Sequence, residues 1–290
     1  MGPRAIAAPQ SWPDLRSRAA TMALAFPVLY LLLGIPPAFV TLCLLVIFAA
    51  GWEYAGIVGP ATRGLHNAGF GAATAVLSAA FLWIIRPGRR TPEDLALVFA
   101  LGILASIFAA AMIRIRRGAL SSVGGQGWLT SMRLAAWGIV WFGFMPACLA
   151  QILLRYGAAG RGLVLVVLAA SWGGDIGGYL VGRAWGRHRI APRISPSKTF
   201  EGCLGGLALA SLLLAAVGSS GAVGRPVLQV LAIGLPATVL AMLGDLAESW
   251  LKRRHGIADS GRLLPGHGGI LDCIDGLCFA APWVYFVSLR

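Results

Sequence analysis

The amino-acid sequence predicts an all-α fold, a polytopic integral membrane helix bundle with about nine transmembrane helices. Three observations carry that expectation. Of the 290 residues, 58% are hydrophobic and only 12% are charged, about half the charged share of a soluble domain. The apolar residues gather in runs of about 20, the length that crosses a hydrocarbon core. With the N-terminus inside, the inner segments hold 17 of the 24 lysines and arginines, as the positive-inside rule requires.

The expected spans are 20–36, 38–58, 68–86, 94–113, 134–154, 161–182, 199–217, 226–248 and 269–289. Residues 1–19 read as a cytoplasmic N-terminal segment. Arg16 and Arg18 precede an apolar stretch with no small-residue cleavage pattern after it, which favours a retained anchor over a signal peptide. The first two spans read as a kinked or re-entrant pair, because Gly34, Pro36 and Pro37 leave almost no loop. Residues 20–160 read as a transmembrane scaffold, polar only in its loops. Glu53, between Trp52 and Tyr54 at a span end, reads as an interfacial residue rather than a catalytic one. Glu93 and Asp94 suit the negatively charged first turn of a helix. Arg86, Arg89 and Arg90 are the exception to the charge rule.

Residues 161–290 read as the catalytic region. Asp175 stands among glycines in SWGGDIGGYLVG, inside a span, where a carboxylate is costly and marks a functional site. The bland alternative is a tight helix crossing with Asp175 paired to an arginine. In RISPSKTFEG, Ser195, Pro196 and Ser197 are expected to form a turn, with Lys198 to Glu201 opening the seventh span. Such a helix start favours an anion, and lysine supplies a mobile point charge for phosphate. Gly202, Gly205 and Gly206 form a small-residue face, compatible with a homodimer and equally with packing inside one chain.

Charge is densest between Gly244 and Asp275. Asp245, Glu248, Asp259, Asp272 and Asp275 lie there; with Asp175 and Glu201 they make seven of the chain's 11 acidic residues. Asp245, Glu248, Ser249 and Lys252 share one helix face by their spacing. Asp272 and Asp275, three apart, open the last span after the PGHGG turn. Oxygen ligands from two helix ends suit Mg²⁺ shared with substrate phosphates, while Lys252, Arg253 and Arg254 would neutralise the phosphates. Structural ion pairing, Glu248 with Lys252 for instance, is the plain alternative. Only two of the basic residues are lysines, Lys198 and Lys252, and both fall in these motifs. Cys43, Cys148, Cys203, Cys273 and Cys278 form neither a disulfide framework nor a metal-ligand spacing. The net charge of +13 sits in orienting loops that contact anionic lipid, so no nucleic acid is expected.

These motifs resemble the phosphatidate cytidylyltransferase (CDP-diacylglycerol synthase) family of the bacterial type. The resemblance lies in Ser249-x-Leu251-Lys252-Arg253, Asp259-Ser260-Gly261 and Leu264-Pro265-Gly266-His267-Gly268-Gly269-Ile270-Leu271-Asp272-x-Ile274-Asp275. The Asp245, Ser195–Thr199 and Asp175 segments precede them in matching order. The resemblance implies transfer of CMP from CTP to phosphatidic acid, giving CDP-diacylglycerol and pyrophosphate with Mg²⁺ and room for a second monovalent or divalent cation. It implies a site at the cytoplasmic face of a bacterial inner membrane. Asp245, Asp272 and Asp275 would hold metal and act in catalysis with Lys252. Asp175, Ser197, Lys198, Ser249, Arg253, Asp259, Ser260 and His267 would bind nucleotide and phosphate. Two departures remove positive charge: the family usually has lysine at Ala258 and arginine at Cys273. They keep a weakly active or degenerate member in view beside the full enzyme. A transporter would place charges at the midplane of several spans, and a CDP-alcohol phosphotransferase would need a DG…AR…D…D pattern that the chain lacks.

Overall fold

The computed structural model describes residues 26–58, 65–84, 133–134, 136–257, 259–261 and 268–289. Residues 1–19, the expected span 94–113, Glu93 and Asp94, the arginines at 86, 89 and 90, Ala258, Arg262 and His267 lie outside the described residues.

Residues 26–33 are helical. The chain then bends at Gly34, where Gly34 N–H donates to Leu31 O and Ile35 N–H to Leu32 O at 3.0 and 2.9 Å. The abrupt join expected from Gly34, Pro36 and Pro37 is therefore a tight turn into α1, Pro36–Val58. α2, Leu65–Ile84, packs along α1. There Gly71 approaches the Phe48 carbonyl too closely for any side chain.

The expected spans 134–154 and 161–182 belong to one apolar run, Ala136–Trp185. It contains a π-helical turn, Val140–Phe144, and α3, Met145–Trp185. Gly157, at φ 53° and ψ −117°, breaks α3. That backbone is open only to glycine, and it folds the run into two antiparallel legs. A Cβ on Gly160 would lie 2.6 Å from Ile152 O, whereas residues eight apart in a straight helix are about 12 Å apart.

After α3 comes a short antiparallel ribbon, β1 (Arg189–Ala191) with β2 (Ser195–Thr199), pairing Arg189 with Thr199 and Ala191 with Ser195. Apart from this ribbon the described fold is all-α, as expected; the expected Ser195-Pro196-Ser197 turn is corrected, since those residues and Lys198 are strand. The turn sits earlier, at 192–194. α4 begins at Phe200, not at Lys198, because Thr199 is its N-cap and its Oγ1 accepts from Gly202 N–H at 3.1 Å. Glu201 anchors the ribbon to the helix, accepting from the Arg187 and His188 amides at 3.0 and 3.2 Å and pairing with His188 Nδ1 at 2.5 Å.

α4 (Phe200–Ser219), α5 (Val227–Arg254) and α6 (Leu271–Ser288) complete the described elements. Five described helical runs are long and apolar enough to cross a membrane: α1, Ala136–Trp185, α4, α5 and α6. The chain is a multi-pass membrane bundle. α5 has 28 residues, or about 42 Å at 1.5 Å per residue. It outruns a hydrocarbon core of about 30 Å, so its charged last two turns project beyond the apolar layer.

The second leg of α3 crosses α4 glycine on glycine. A Cβ on Gly202 would lie 2.8 Å from Gly178 O, one on Gly206 2.5 Å from Gly174 O, and one on Gly173 2.9 Å from Ala210 Cα. The small-residue face Gly202, Gly205 and Gly206 is thus spent inside one chain. Two apolar clusters hold the bundle. The larger joins α1, α3, α5 and α6 through residues such as Ile47, Val167, Val230 and Val284. The smaller, with Tyr54, Phe70, Phe142, Leu251, Leu271 and Ile274, lies under one end of the bundle.

Candidate active site

At that end five elements bring polar side chains together: the last turns of α1 and α5, the first turns of α4 and α6, and β2. The end of α3 lies there too, with Asp175 ten residues farther in. The arrangement has an outer and an inner group.

The outer group centres on Lys252. Its Nζ lies 2.6 Å from Glu248 Oε2, one helical turn back on α5, and 2.6 Å from Asp272 Oδ1 on α6. The other Asp272 oxygen, Oδ2, accepts from Gly269 N–H at 2.7 Å, Ser260 N–H at 3.1 Å and the Ser260 hydroxyl at 2.9 Å. Asp272 thereby holds the lysine together with Ser260 and Gly269. Glu248 is buried, and its Oε1 has no hydrogen-bond partner. A buried acceptor left without a donor is uncommon, and a water or a cation would satisfy it.

The inner group centres on Lys198, whose Nζ is ion-paired with Asp245 Oδ2 and lies 3.4 Å from Met242 O. Ser249 Oγ stands 3.5 Å from Asp245 Oδ1. Asp275 is buried and accepts from Gly276 N–H at 2.6 Å. The charges of Asp245, Asp175 and Glu248 all act on it. Among the described residues, the charged groups that act on Asp175 are Asp245 and Lys198. Asp245 and Asp175 therefore share one lysine, with the buried Asp275 beside them.

Among the described residues no three acidic, histidine or cysteine side chains stand close enough to enclose a metal ion by themselves. Magnesium does not need such a cage; one or two carboxylates suffice, with water and substrate phosphate completing its octahedron. The surplus negative charge around Asp245 and Asp275 and the orphaned Glu248 oxygen fit that mode of binding. Asp272 Oδ1 keeps one lone pair beside its lysine.

The remaining expected residues fall as follows. Arg253 is exposed and reaches two carbonyls, Ile194 O and Ile257 O, each at 3.4 Å, linking α5 to the ribbon. Arg254 lies over the Trp250 ring at 5.5 Å. Ser197 and Asp259 are exposed at the rim. Cys273 packs on the smaller apolar cluster.

Glu53 is the residue that sequence reasoning missed. Placed at a membrane interface by its aromatic neighbours, it instead reaches the loop before α6. Its Oε1 accepts from Ile270 N–H and its Oε2 from Leu271 N–H, both at 3.0 Å, and Ser260 Oγ lies 3.0 Å from Oε2. Its only signal in the sequence was an acidic residue at a helix C-terminal end, where the dipole opposes it.

The model of the cytidylyltransferase family matches residues 15–289. The chain belongs to the cytidylyltransferase family. Named relatives agree. The phosphatidate cytidylyltransferase of Brucella suis biovar 1 (strain 1330) is 43% identical over 166 residues, 56% of this chain and 57% of that protein. The phosphatidate cytidylyltransferase of Pseudomonas aeruginosa PAO1 is 40% identical over 139 residues, 48% of this chain and 51% of the relative. That of Bacillus subtilis (strain 168) is 43% identical over 116 residues, 40% and 43% respectively. The chain thus spans about half the length of the curated relatives it matches. Family membership does not favour the transporter reading. The described signature residues between Asp245 and Asp275, Asp245, Ser249, Lys252, Ser260 and Asp272 among them, meet at one end of the bundle.

Proposed function

We propose that the chain is a phosphatidate cytidylyltransferase, joining phosphatidic acid to the CMP portion of CTP in phospholipid biosynthesis. A phosphate oxygen of phosphatidic acid attacks the α-phosphorus of CTP. The new P–O bond forms as the bond to the β-phosphate breaks, and pyrophosphate leaves. The observation that carries the reading is the fate of the two lysines. Each meets carboxylates from other elements of the family signature at one membrane-side end of the bundle.

The lipid phosphate is already an anion, so the task is to bring it to a second anion rather than to remove a proton. Lys198 and Lys252 are held at fixed points by Asp245 and by Glu248 with Asp272. They steady charge on the leaving pyrophosphate, the clamp that such displacements require. Arg253 at the rim adds a fork for phosphate. Ser197, Ser249, Asp259, Ser260 and His267 complete the nucleotide contacts, with Asp175 at the floor. Magnesium, when bound through Asp245, Asp275 and Asp272, would neutralise phosphate oxygens and orient them for in-line attack; a second cation is expected beside it.

We further infer nine spans, with a catalytic region over 161–290 and a scaffold over 20–160 from which Glu53 reaches across. The site faces the cytoplasm of a bacterial inner membrane, where CTP is supplied, and acyl chains enter sideways from the lipid. The glycine face spent between α3 and α4 gives no support to a homodimer through that surface. The test is purified protein in detergent with CTP, phosphatidic acid and Mg²⁺. CDP-diacylglycerol that appears with Mg²⁺ and stops with a chelator supports the proposal. Folded protein without product, beside an active relative, rejects it.

A further inference from the structure

We propose that Glu53 is a positioning residue for the reactive loop, acting through Ser260 and Asp272 on Lys252; the proposal rests on the function inferred above. α6 has Ile270 as its N-cap and no side-chain cap of its own. Its first amides are taken by a carboxylate 217 residues away in sequence, whose two oxygens divide between Ile270 N–H and Leu271 N–H. The same carboxylate meets the Ser260 hydroxyl, which also meets Asp272. A hydroxyl has one proton, so the Ser260 Oγ–H links Glu53 and Asp272 by donating to one carboxylate at a time.

The loop is built around this carboxylate. A Cβ on Gly261 would lie 2.9 Å from Glu53 Cδ, and one on Gly269 would lie 2.7 Å from it. Both glycines leave room for Glu53. The position is poor for α1, since an acid five residues before its end opposes the helix dipole, and good for α6, whose N-terminus attracts it. The arrangement has a second consequence. The amides of Gly269, Ile270 and Leu271 stand where a helix N-terminus would receive a phosphate, and Glu53 and Asp272 have taken them. Substrate phosphate is therefore left to Lys198, Lys252 and Arg253, and the role of the α6 start is to hold Asp272 rather than to bind nucleotide.

The test compares full-length wild type, Glu53→Gln, Glu53→Asp, Ser260→Ala and the Glu53→Gln/Ser260→Ala double variant. Steady-state kinetics in CTP and phosphatidic acid are read beside hydrogen–deuterium exchange. In Glu53→Gln the amide group turns a donor toward donors. Exchange over 259–272 should rise at least tenfold, with exchange in α4 unchanged. kcat should fall at least tenfold with KM for CTP within threefold, and Glu53→Asp should recover part of the loss. Ser260→Ala added to Glu53→Gln should cost less than a further twofold, because both act on Asp272 by one route. Wild-type protection over 259–272 in Glu53→Gln, kcat within threefold of wild type, or fully multiplicative losses would each overturn the proposal. If Glu53→Gln does not fold, Glu53→Asp carries the same test, with faster exchange and lower kcat supporting the proposal and wild-type values for both rejecting it. If wild type itself makes no CDP-diacylglycerol, the function proposal has failed, and the exchange result alone decides the role of Glu53.

Discussion

Asp272 does more at the site than any other single residue, because its two oxygens perform different tasks. One holds Lys252 and the other holds the backbone and hydroxyl of Ser260 and the amide of Gly269. Asp272→Asn replaces one acceptor by an NH₂ that faces other donors. Turnover should drop roughly 100-fold or more, the scale seen when a preorganised charge contact is lost, while the circular dichroism and thermal midpoint of the detergent-solubilised protein stay near wild type. Activity retained within tenfold would remove Asp272 from the machinery. Cys273→Arg tests the departure beside it. Cys273 packs on the apolar cluster with Tyr54 and Leu271, and the proposed phosphate clamp already has Lys198, Lys252 and Arg253. The variant should therefore change kcat less than threefold; a rise above tenfold would mean that the native site is weakened. The lysines and aspartates were legible in the sequence because local spacing and scarcity marked them. Glu53 was not, since its partners are 207 to 218 residues away and nothing near it in the chain points to them.

At the scale of elements, the bundle depends on backbone approach between α3 and α4. Gly206 has the Gly174 carbonyl 2.5 Å from where its Cβ would stand, so Gly206→Val must push the helices apart. The expected cost is about 1–3 kcal/mol, typical of overpacking, read as a lower thermal midpoint in detergent with partial loss of activity. An unchanged midpoint would show that the crossing is looser than described. The glycine pattern announced this crossing, but the sequence could not say whether its partner was α3 or a second copy. Helix ends were less legible than helices. Ser195-Pro196-Ser197 carries turn residues, yet pairs with Arg189–Ala191 as a strand because Thr199, not a serine, caps α4. The two legs of Ala136–Trp185 were expected as separate spans; what closes them is a glycine-only conformation at Gly157, a backbone property that composition alone does not reveal.

For the whole molecule, elements that alternate in direction put the ends of α5 and α1 and the starts of α4 and α6 on one side, and the α4–α5 connection on the other. Single cysteines introduced at Arg187 and Arg254 in a chain stripped of its native cysteines should react with a membrane-impermeant maleimide from the cytoplasmic side. One introduced at Ser220 should react only from the opposite side. Labelling of all three from one side would contradict the proposed topology. In the proposed topology and function, the basic residues Arg183, Arg187, Arg189, Arg193, Arg253 and Arg254 would orient the protein and attract the anionic substrates. The most direct measurement is the destination of label from CTP carrying ³²P at the α- or the γ-position, incubated with purified protein, phosphatidic acid and Mg²⁺. The account predicts that α-label enters the lipid as CDP-diacylglycerol while γ-label appears only in pyrophosphate. No label in the lipid, or γ-label there, would contradict it.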